Sequence, residues 1–363
     1  MKPLTIAVDV RMAESAGIGT YIRNVVPRVA TLRPEWRWVL LGRPEEIATW
    51  ASRTTTPIET RFCDAPIYSV REQWQLRRSI PGDATLVWVP HYNVPLVHPG
   101  RLVTTIHDLF HLAMPELVGG WHKKAYARYM FRQVARASTT IICDSQFTAQ
   151  QLQFFTKVPS ERLHVVHLGV DDAWFAPASG SSAPSAKPYF LFVGNVKPHK
   201  NLGRLLDAFG LIQERVPHDL VIVGKKDGFI TSDQAVLQRV NGFHGRVRFT
   251  GRLSDQELHA WYAHAEALVF PSLYEGFSLP PLEAMASSCP VIATTAGAVP
   301  EVCRDSVTYV DPLSPRDIAN AMLEVIGNVR SRGVVAKARD HARSYSWDRC
   351  AVGTNRALAE AAS

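Results

Sequence analysis

Short apolar runs separated by helical segments recur along the chain and constrain its fold more than any other feature. In the first half, these runs occupy residues 4–10, 38–41, 86–89, 102–106 and 140–143. Helical patterns lie between them, most clearly at residues 121–137 and 145–155. Strands that alternate with helices are typical of a parallel sheet built from βαβ units. The first half is therefore predicted to be a doubly wound α/β domain.

The alternation restarts after residues 176–187, a stretch rich in Pro, Gly and Ser that is predicted to be a linker. Predicted strands follow at residues 189–193, 219–223, 246–250, 267–270 and 291–294. Predicted helices follow at residues 202–213, 255–265, 281–288 and 316–329, and the segment 334–363 is helical in pattern. Ligands of open α/β sheets bind beyond the carboxyl ends of the strands. Two such domains are expected to face each other across a cleft, with the chemistry just after the strands.

Composition is that of an ordinary globular protein, with 363 residues of which 46% are hydrophobic and 20% charged. Lysine and arginine number 40 against 33 aspartates and glutamates, which gives a formal charge of +7. This excess suits an anionic partner such as a nucleotide diphosphate, an anionic membrane or a nucleic acid. A solvated basic surface explains the excess equally well.

Cysteine usage indicates the compartment. The cysteines are scattered, and none stands in a C-x-x-C pair: Cys63, Cys143, Cys289, Cys303 and Cys350. This argues against a disulfide framework and a structural zinc site, and it favours a reducing compartment. Residues 1–10 lack a signal-peptide pattern, and no apolar run is long enough to span a bilayer. We therefore expect a cytoplasmic protein that could lie on the inner face of the cytoplasmic membrane.

A short glycine loop follows the first predicted strand. Gly17 and Gly19 would let the backbone approach a ligand, and the next helix would supply N–H donors and a partial positive charge. The loop lacks the full G-x-G-x-x-G pattern, so a plain tight turn is an equal alternative.

His107 and Asp108 end the apolar run at residues 102–106, which points the histidine towards the expected cleft. Asp108, or Asp9 after the first strand, is predicted to orient His107. His111 follows four residues later, but no third ligand stands at a recognisable spacing, so a metal site is not expected. A structural histidine that binds a loop carbonyl is the alternative.

Lys200 lies near the start of a predicted helix, after the strand at residues 189–193. Cations are unfavourable at that end of a helix, so a lysine there makes sense when an anion is bound in front of it. Each helix end offers roughly half a charge, so Lys200 and two helix starts could offset about two charges of a diphosphate without a metal. A solvated surface lysine is the alternative.

The segment at residues 270–286 joins a strand, a glycine loop, a double proline and a helix. Pro280 and Pro281 fit a first helical turn, where their missing N–H groups cost nothing. Glu275 precedes them and Glu283 follows them, so the two carboxylates stand on different elements and are interpreted as acceptors for hydroxyl groups. The N–H donors predicted to cradle phosphate oxygens are those of Gly276, Phe277, Ser278 and Leu279.

Three segments, Gly17-Ile-Gly19, residues 194–201 and residues 275–283, resemble the motifs of the family-four glycosyltransferases, which have the GT-B architecture. The resemblance extends from residue 5 to about residue 330. Residues 106–109, 192–201 and 279–283 look most like bacterial mannosyl- and rhamnosyltransferases of surface-polysaccharide assembly.

The resemblance implies an α/β GT-B fold of two Rossmann-like domains. It implies an acceptor domain at residues 1–175, a linker at 176–187, a donor domain at 188–345 and a helical segment at 346–363 that returns to the first domain. The implied reaction is a retaining transfer of a hexose from a nucleotide-sugar, with GDP-mannose favoured, to a glycan or polyprenyl-linked acceptor. No cofactor and no metal are implied.

Residue roles follow from the same resemblance. Lys200 is implied to bind the diphosphate and assist its departure, Glu275 to bind the donor sugar and Glu283 to bind the ribose. His107 is implied to stand beside the reacting centre, with Gly17 and Asp108 on the acceptor side. The other implied donor-binding residues are Gly17, Gly19, Asn195, Lys197, Gly251, Arg252, Leu253, Gly276, Phe277, Ser278 and Leu279. Family members often have a basic residue where this chain has Asn195, so Lys197 is the candidate for a second phosphate cation.

The helical pattern at residues 121–136 carries basic side chains on one face at a four-residue spacing: Lys124, Arg128, Arg132 and Arg136. Apolar and aromatic surface is predicted to come from Trp121, Ala125, Tyr129 and Phe131. Such a helix suits an anionic membrane surface. A charged solvent face above a buried core face is the simpler alternative.

Other donors stay open, namely dTDP-rhamnose, UDP-N-acetylglucosamine and UDP-glucose. A phosphorylase would need a lysine that carries pyridoxal phosphate and a far longer chain, and an epimerase would not need Lys200 and Asn201 in this setting. A non-enzymatic nucleotide- or nucleic-acid-binding module is disfavoured, because no basic sheet with interleaved aromatics appears and the carboxylates would repel phosphate-rich ligands.

Overall fold

Two parallel β-sheets organise the chain. A computed structural model describes residues 4–177, 183–224, 234–327 and 332–363. Contacts between Cα atoms divide the chain into a first unit, residues 1–169 with 347–363, and a second unit, residues 170–346.

The strands of the first unit are β1 (Thr5–Asp9), β2 (Arg37–Gly42), β3 (Ile58–Phe62), β4 (Leu86–Val89), β5 (Arg101–Ile106), β6 (Ser138–Cys143) and β7 (Leu163–Val165). Those of the second unit are β8 (Tyr189–Val193), β9 (Asp219–Val223), β10 (Val247–Gly251), β11 (Ala267–Phe270), β12 (Val291–Thr294) and β13 (Thr308–Val310). Among the described residues, the sheet orders are β3-β2-β1-β4-β5-β6-β7 and β10-β9-β8-β11-β12-β13. In each sheet the order changes direction at the strand that comes first along the chain, which is β1 in the first unit and β8 in the second. This confirms the predicted doubly wound arrangement.

The helices of the first unit before the linker are α1 (Ile18–Leu32), α2 (Pro44–Ala51), α3 (Val70–Ser79), α4 (Phe110–Ala113), α5 (Trp121–Ala137) and α6 (Gln146–Thr156). The second unit has α7 (Leu202–Ile212), α8 (Gln234–Asn241), α9 (Asp255–His264), α10 (Leu279–Ala286), α11 (Val299–Cys303), α12 (Pro315–Gly327) and α13 (Arg332–Ala342). The last helix is α14 (Trp347–Ala362).

Helices cover both faces of the first sheet. On one face, Leu76 of α3 and Phe131 of α5 share a core cluster with Val39 of β2. Alternate strand residues point the other way, where Tyr21 of α1 packs edge-on against Trp88 of β4 with ring centroids 6.3 Å apart. Burial on both faces explains why these strands are short apolar runs without a polar side.

Helix α14 belongs to the first unit and packs beside α1. Arg28 Nε donates to Asp348 Oδ1 at 2.9 Å, and Arg33 Nε donates to Asn355 Oδ1 at 2.8 Å. The expectation that the C-terminal helix returns to the first domain is thus confirmed.

The second sheet has an equivalent core. Phe190 and Phe192 of β8 share a buried cluster with Leu205 and Phe209 of α7 and with Met322 of α12. All residues of β8, β9, β11 and β12 are buried. The carboxyl ends of these strands therefore emerge from a rigid layer, which fixes the loops that follow them.

Some elements differ from the sequence prediction. β3 was not predicted because it is an edge strand, in which Glu59 pairs with Arg37 and Arg61 and an apolar run is absent. β7 and β13 were not predicted because each has only three residues, too few for a periodic signal. Helix α10 begins at Leu279, before the predicted start at residue 281. Residues 178–182 of the predicted linker and residues 328–329 of the helix predicted at 316–329 lie outside the described residues.

The five cysteines are all free and buried. Within the described ranges, none of the helices combines the length and the apolar character that crossing a bilayer requires.

Candidate functional site

The predicted donor residues lie on loops that follow β8 and β11 in the second unit. β8 leads through Gly194 to a single 3₁₀ turn at Pro198–Lys200, after which α7 starts. β11 leads through residues 271–278 to α10. Because β8 and β11 are parallel neighbours, both loops emerge at the same edge of the sheet.

Lys200 and Glu275, which stand on separate sequence motifs, form an ion pair. Lys200 Nζ donates to Glu275 Oε1 at 2.7 Å, and the two side chains are 18% and 11% exposed. The ammonium also lies 5.5 Å from the ring centroid of Phe270. The Lys200 ammonium and the Glu275 carboxylate are both mostly shielded from water and compensate each other's charge. A bound anion would therefore compete with Glu275 for the ammonium.

Asn201 fixes the position of Lys200 by joining three loops. Its left-handed backbone, with φ 61°, ends the 3₁₀ turn and begins α7. Its Nδ2 donates to Pro271 O at 2.9 Å and to Pro312 O at 2.7 Å. Leu273 N donates to His199 O at 2.7 Å, so the loops after β8 and β11 are also joined through their backbones. The Lys200–Glu275 pair therefore rests on a rigid support.

Gly297 supports Glu275 from the other side and was missed by the sequence analysis. Its φ is 62°, and a Cβ built on it would overlap Glu275 O and lie 2.7 Å from Glu275 N. Ala298 N donates to Glu275 O at 2.9 Å. The turn after β12 can approach the Glu275 backbone this closely only because residue 297 has no side chain. The sequence signal was present, since Gly297 follows the predicted strand at residues 291–294.

Ser278 carries two signs of a ligand site at the start of α10. Its φ of 98° is unusual for a residue with a side chain, and backbone strain of this kind concentrates at functional sites. Its hydroxyl is buried and has no hydrogen-bond partner in the structure. Pro280 and Pro281 carry no N–H, so the donors at this helix start are concentrated in Leu279 and the residues just before it.

The other two residues of the predicted cradle are enclosed. Gly276 and Phe277 are buried, and the Phe277 ring packs edge-on against Tyr345 with ring centroids 5.9 Å apart. This packing holds the loop of residues 276–278 against the body of the unit.

Glu283 lies in α10 and accepts a hydrogen bond from Tyr262 Oη at 3.1 Å through its Oε2. Burial raises the pKa of the Glu283 carboxyl to about 7, against the opposing effect of the Tyr262 hydrogen bond. Tyr262 is fully buried and packs edge-on against Trp174, so the carboxyl is fixed in place. Glu283 and Glu275 thus have different hydrogen-bond partners.

Glu283→Gln is expected to stabilise the unliganded protein at pH 8 and to leave its stability nearly unchanged at pH 4. Folding raises the pKa of this carboxyl from 4.5 to about 7, so the stability of the wild type falls as the pH rises through that interval. One pKa unit corresponds to about 1.4 kcal/mol, so the gain at pH 8 is on the order of 3 kcal/mol in the free energy of unfolding. Urea unfolding at both pH values measures this difference.

Glu214→Gln, which alters an exposed glutamate of the same unit, is the matched control and should behave alike at both pH values. A Glu283→Gln protein that is no more stable than wild type at pH 8 would show that the carboxyl ionises freely in the folded state.

Three glycines bring the ends of β8, β9 and β10 together. Gly224 N donates to Gly251 O at 3.1 Å, Gly194 N donates to Val223 O at 3.0 Å, and a Cβ on Gly224 would overlap Gly194 O. Gly251 has φ 80°, and a Cβ on it would meet no described residue within 4 Å. The predicted donor-binding residues Gly251, Arg252 and Leu253 therefore begin at this junction, and the Arg252 side chain is exposed.

Asn195 and Lys197 lie on the exposed side of the loop after β8, on either side of the buried Val196. Neither is brought against Glu275 as Lys200 is. Their predicted contacts with a phosphate stay predictions.

His107 of the first unit is held by a residue that was not among its predicted partners. His107 Nδ1 lies 2.6 Å from Asp144 Oδ2, and its Nε2 lies 3.0 Å from Pro90 O. The prediction that Asp108 or Asp9 orients His107 was wrong. Asp144 directly follows β6, the neighbour of β5, so the rule that strand ends meet at one edge could have found it.

The His107–Asp144 pair is largely buried, and burial raises the pKa of the Asp144 carboxyl. Burial disfavours an imidazolium, but the Asp144 carboxylate and the hydrogen bonds to Asp144 and to Pro90 O outweigh it and raise the pKa of His107. Both ring nitrogens face acceptor oxygens, so both carry a proton when the contacts are satisfied. These two contacts favour the imidazolium form of His107, in which neither ring nitrogen can accept a proton.

The two rejected partners have other contacts. Asp9 accepts from Arg11 Nε at 2.8 Å and from Arg11 Nη2 at 2.6 Å, and it lies 3.1 Å from His91 Nε2. Burial opposes ionisation of Asp9, but Arg11 and His91 hold the pKa of Asp9 well below its usual range. Asp108 is exposed, and its Oδ1 accepts from Phe110 N at 3.0 Å at the start of α4.

The two glycines at the start of α1 have different roles. Gly17 is the N-cap residue with φ 52°, it is exposed, and a Cβ on it would meet nothing within 4 Å. Gly19 is buried, and a Cβ on it would overlap Ala13 O. Gly19 therefore serves close packing, while Gly17 presents the open start of a helix.

Groups of three or more His, Cys, Asp or Glu side chains that could hold a metal ion do not occur within the described ranges. His111, which the sequence placed near His107, packs against Tyr92 with ring centroids 5.8 Å apart.

Comparisons with known proteins agree with these observations. A family model described as "Glycosyltransferase Family 4" matches residues 15–174, and one described as "Glycosyl transferases group 1" matches residues 187–328. An O-antigen chain mannosyltransferase B of Escherichia coli is 28% identical over 269 residues, which cover 70% of this chain and 69% of that protein. A D-inositol 3-phosphate glycosyltransferase of Nocardioides sp. is 31% identical over 284 residues, which cover 72% of this chain and 61% of that protein.

Among solved structures, that of Anabaena Alr3699/HepE in complex with UDP and glucose superposes with a TM-score of 0.76 at 17% identity. The match covers 98% of this chain and 100% of that chain, and it establishes the fold. The protein therefore has the GT-B fold, and the chain belongs to the family-four glycosyltransferases. The family and fold predicted from the sequence are confirmed.

Proposed function

We propose that this glycosyltransferase moves mannose from GDP-mannose to a glycan or lipid-linked oligosaccharide of a surface polysaccharide. Transfer proceeds with retention of configuration and without a metal ion. The O-antigen mannosyltransferase relative supports this choice of sugar and product class. The inositol-phosphate glycosyltransferase relative shows that the same family serves other acceptors, so the acceptor must be tested directly.

The ion pair of Lys200 and Glu275 beside the start of α10 is the observation that carries the proposal. A sugar diphosphate needs a cation and N–H donors at the phosphates, and it needs a hydroxyl acceptor at the sugar. In this proposal Lys200 is the cation, the Ser278–Leu279 start of α10 provides the N–H donors and Glu275 is the hydroxyl acceptor. The buried Ser278 hydroxyl, which has no internal partner, is a further donor on the same segment.

In the proposed reaction, the bond between the anomeric carbon and the β-phosphate oxygen breaks, and its electron pair leaves with the diphosphate. The acceptor hydroxyl oxygen attacks from the same face, and its proton passes to the departing phosphate oxygen. Donors already fixed in place stabilise the charge that develops there, and such stabilisation usually contributes more to catalysis than any other single effect. Lys200, held by the Asn201 junction, fulfils that condition without rearrangement of the backbone.

Glu283 is proposed to accept hydrogen bonds from the ribose hydroxyls. Its carboxyl must then be ionised or share its proton, so nucleotide binding should strengthen as the pH rises through about 7. His107 is proposed to stand on the acceptor side as a positive group, with its orientation set by Asp144.

GDP and GDP-mannose are expected to stabilise the protein more than UDP, dTDP and their sugars in thermal-shift and calorimetric titrations. At 100 times the dissociation constant, a ligand that binds only the folded state adds about 2.7 kcal/mol of stability. EDTA should not alter the titration, and the anomeric proton of the product should report the α configuration by NMR.

Stabilisation by UDP-glucose, UDP-N-acetylglucosamine or dTDP-rhamnose alone would replace the proposed donor and keep the reaction class. Absence of stabilisation by any nucleotide would contradict the donor site itself.

A further inference from the structure

A surface cavity of about 330 Å³ lies in the first unit, between the C-terminal ends of α5 and α6. It is lined by Arg132, Ala135, Arg136, Thr156, Lys157, Val158 and Arg162. α5 ends just before β6 begins, and α6 ends shortly before β7 begins. The cavity therefore lies at the amino ends of these strands, whereas His107 and Asp144 follow their carboxyl ends.

The lining carries four basic side chains and no acidic one. Within the part of the chain that the structure describes, none of the four forms an ion pair with a carboxylate. Arg162 Nη1 donates to Ser138 O at 3.1 Å, which fixes its guanidinium at the cavity wall. Four cations around one cavity repel each other, and a bound anion would relieve that repulsion.

Helix ends explain only part of this cluster. A helix C-terminus favours cations, which accounts for Arg136 in the last turn of α5. Arg132 lies one turn earlier, and Arg162 lies on a separate 3₁₀ turn at Ser160–Arg162. Lys157 has a left-handed backbone with φ 59°, which turns the chain at the rim of the cavity.

Exposed aromatic side chains lie near two of the basic residues. Phe154 of α6 is 65% exposed, and the Lys157 ammonium lies 5.3 Å from its ring centroid. Phe155 packs edge-on against Phe154, and Tyr129, one turn from Arg132, is 47% exposed. The predicted contribution of Phe131 to this surface was wrong, because Phe131 is buried in the core, and Lys124 is half-buried. The basic surface thus centres on the C-terminal half of the predicted face.

We propose that this cavity binds a phosphate group, with Arg132, Arg136, Lys157 and Arg162 as its cations. Guanidinium groups match phosphate oxygens in two-point hydrogen bonds. The phosphate could belong to an anionic lipid, since exposed aromatics beside basic groups suit a membrane interface, or to a soluble phosphorylated compound. The site is independent of the proposed donor site, which lies in the second unit.

Pyrophosphate is the probe for the soluble source, and Lys200→Ala is the background that removes its proposed competing site. In calorimetry, Arg132→Gln/Arg136→Gln in this background is expected to weaken pyrophosphate binding by roughly tenfold or more, because two charge-assisted contacts are lost. The matched control is Arg53→Gln/Arg356→Gln, which removes two exposed charges of the same unit and should bind as its parent does. All of these side chains are solvent-accessible, and thermal unfolding confirms that each variant is folded.

Vesicles test the lipid source. Co-sedimentation with phosphatidylglycerol vesicles, compared with phosphatidylcholine vesicles, should fall in the Arg132→Gln/Arg136→Gln protein and in the wild type at high salt. Pyrophosphate binding that weakens in the cavity variant, without vesicle binding, assigns the site to a soluble compound. Vesicle binding that falls in the cavity variant assigns it to a lipid, and either result supports a phosphate site.

Two results would overturn the proposal. One is that neither pyrophosphate nor anionic vesicles bind, or that the control loses as much binding as the cavity variant. The other is that pyrophosphate does not bind while vesicle binding survives Arg132→Gln/Arg136→Gln and disappears with Trp74→Ser. That outcome would show that α3 contacts the lipid instead of the cavity. In α3, Val70 and Trp74 are exposed and the Arg78 guanidinium lies 3.7 Å from the Trp74 ring centroid.

Discussion

Lys200→Ala is expected to lower kcat by about a hundred- to a thousandfold, the effect of losing one fixed group at a site of developing charge. Lys200 is the cation held between Glu275 and the Phe270 ring, and the proposed leaving group would lose its main electrostatic partner. The change also leaves the mostly buried Glu275 without its ion-pair partner, so a modest loss of stability should accompany it. Transfer from GDP-mannose, measured with saturating donor, gives the decrease in kcat.

Lys337→Ala is the matched control, because Lys337 is an exposed lysine of the same unit whose partner, Asp305, is also exposed. It should retain wild-type turnover. The double variant Lys200→Ala/Glu275→Gln should recover stability without activity, since it removes the unpaired charge but not the requirement for the cation. If Lys200→Ala turned over at the wild-type rate, the donor site would have to be sought elsewhere.

Gly297→Ala is expected to reduce kcat/KM by at least about a hundredfold, because misplacement of a substrate-positioning group by about 1 Å has that effect. The added methyl group would overlap Glu275 O, so either the turn after β12 or the Glu275 backbone must move. Either movement weakens the Ala298 N to Glu275 O hydrogen bond and displaces the carboxylate from Lys200.

Gly245→Ala separates this displacement from simple backbone strain. Gly245 also has a positive φ, 83°, but a Cβ on it would meet nothing within 4 Å. Both variants lose on the order of 1 kcal/mol from the left-handed backbone, and only Gly297→Ala moves Glu275. Equal activities of the two variants would show that Glu275 is not positioned through this turn.

The sequence predicted the central strands of both sheets well, because buried parallel strands are short apolar runs and the loops between them are polar. β8, β9, β11 and β12 have the predicted bounds. The edge strand β3 was not predicted because its charged side chains form ion pairs and leave no apolar run. β7 and β13 were not predicted because they are too short to show a period.

The donor site was predicted as a set of residues but not as a geometry. Lys200, Glu275 and Glu283 were named from their motifs, and the hydrogen bond of Lys200 to Glu275 joins residues 75 positions apart. Such a contact depends on the order of β8 and β11 in the sheet, which local patterns do not specify. For the same reason, Asp144 was overlooked as the partner of His107: it is distant in sequence and adjacent only across β5 and β6.

The return of α14 to the first unit has a consequence for how the protein is made. Residues 347–363 leave the ribosome only after the whole of the second unit, which is continuous in sequence from 170 to 346. The second unit therefore emerges complete before α14 does, and until then the α1 face of the first sheet is incompletely covered. A chaperone would therefore find exposed apolar surface on the first unit while the chain is being made. A stop codon before Trp347 would remove α14 and so damage the half of the protein that was synthesised first.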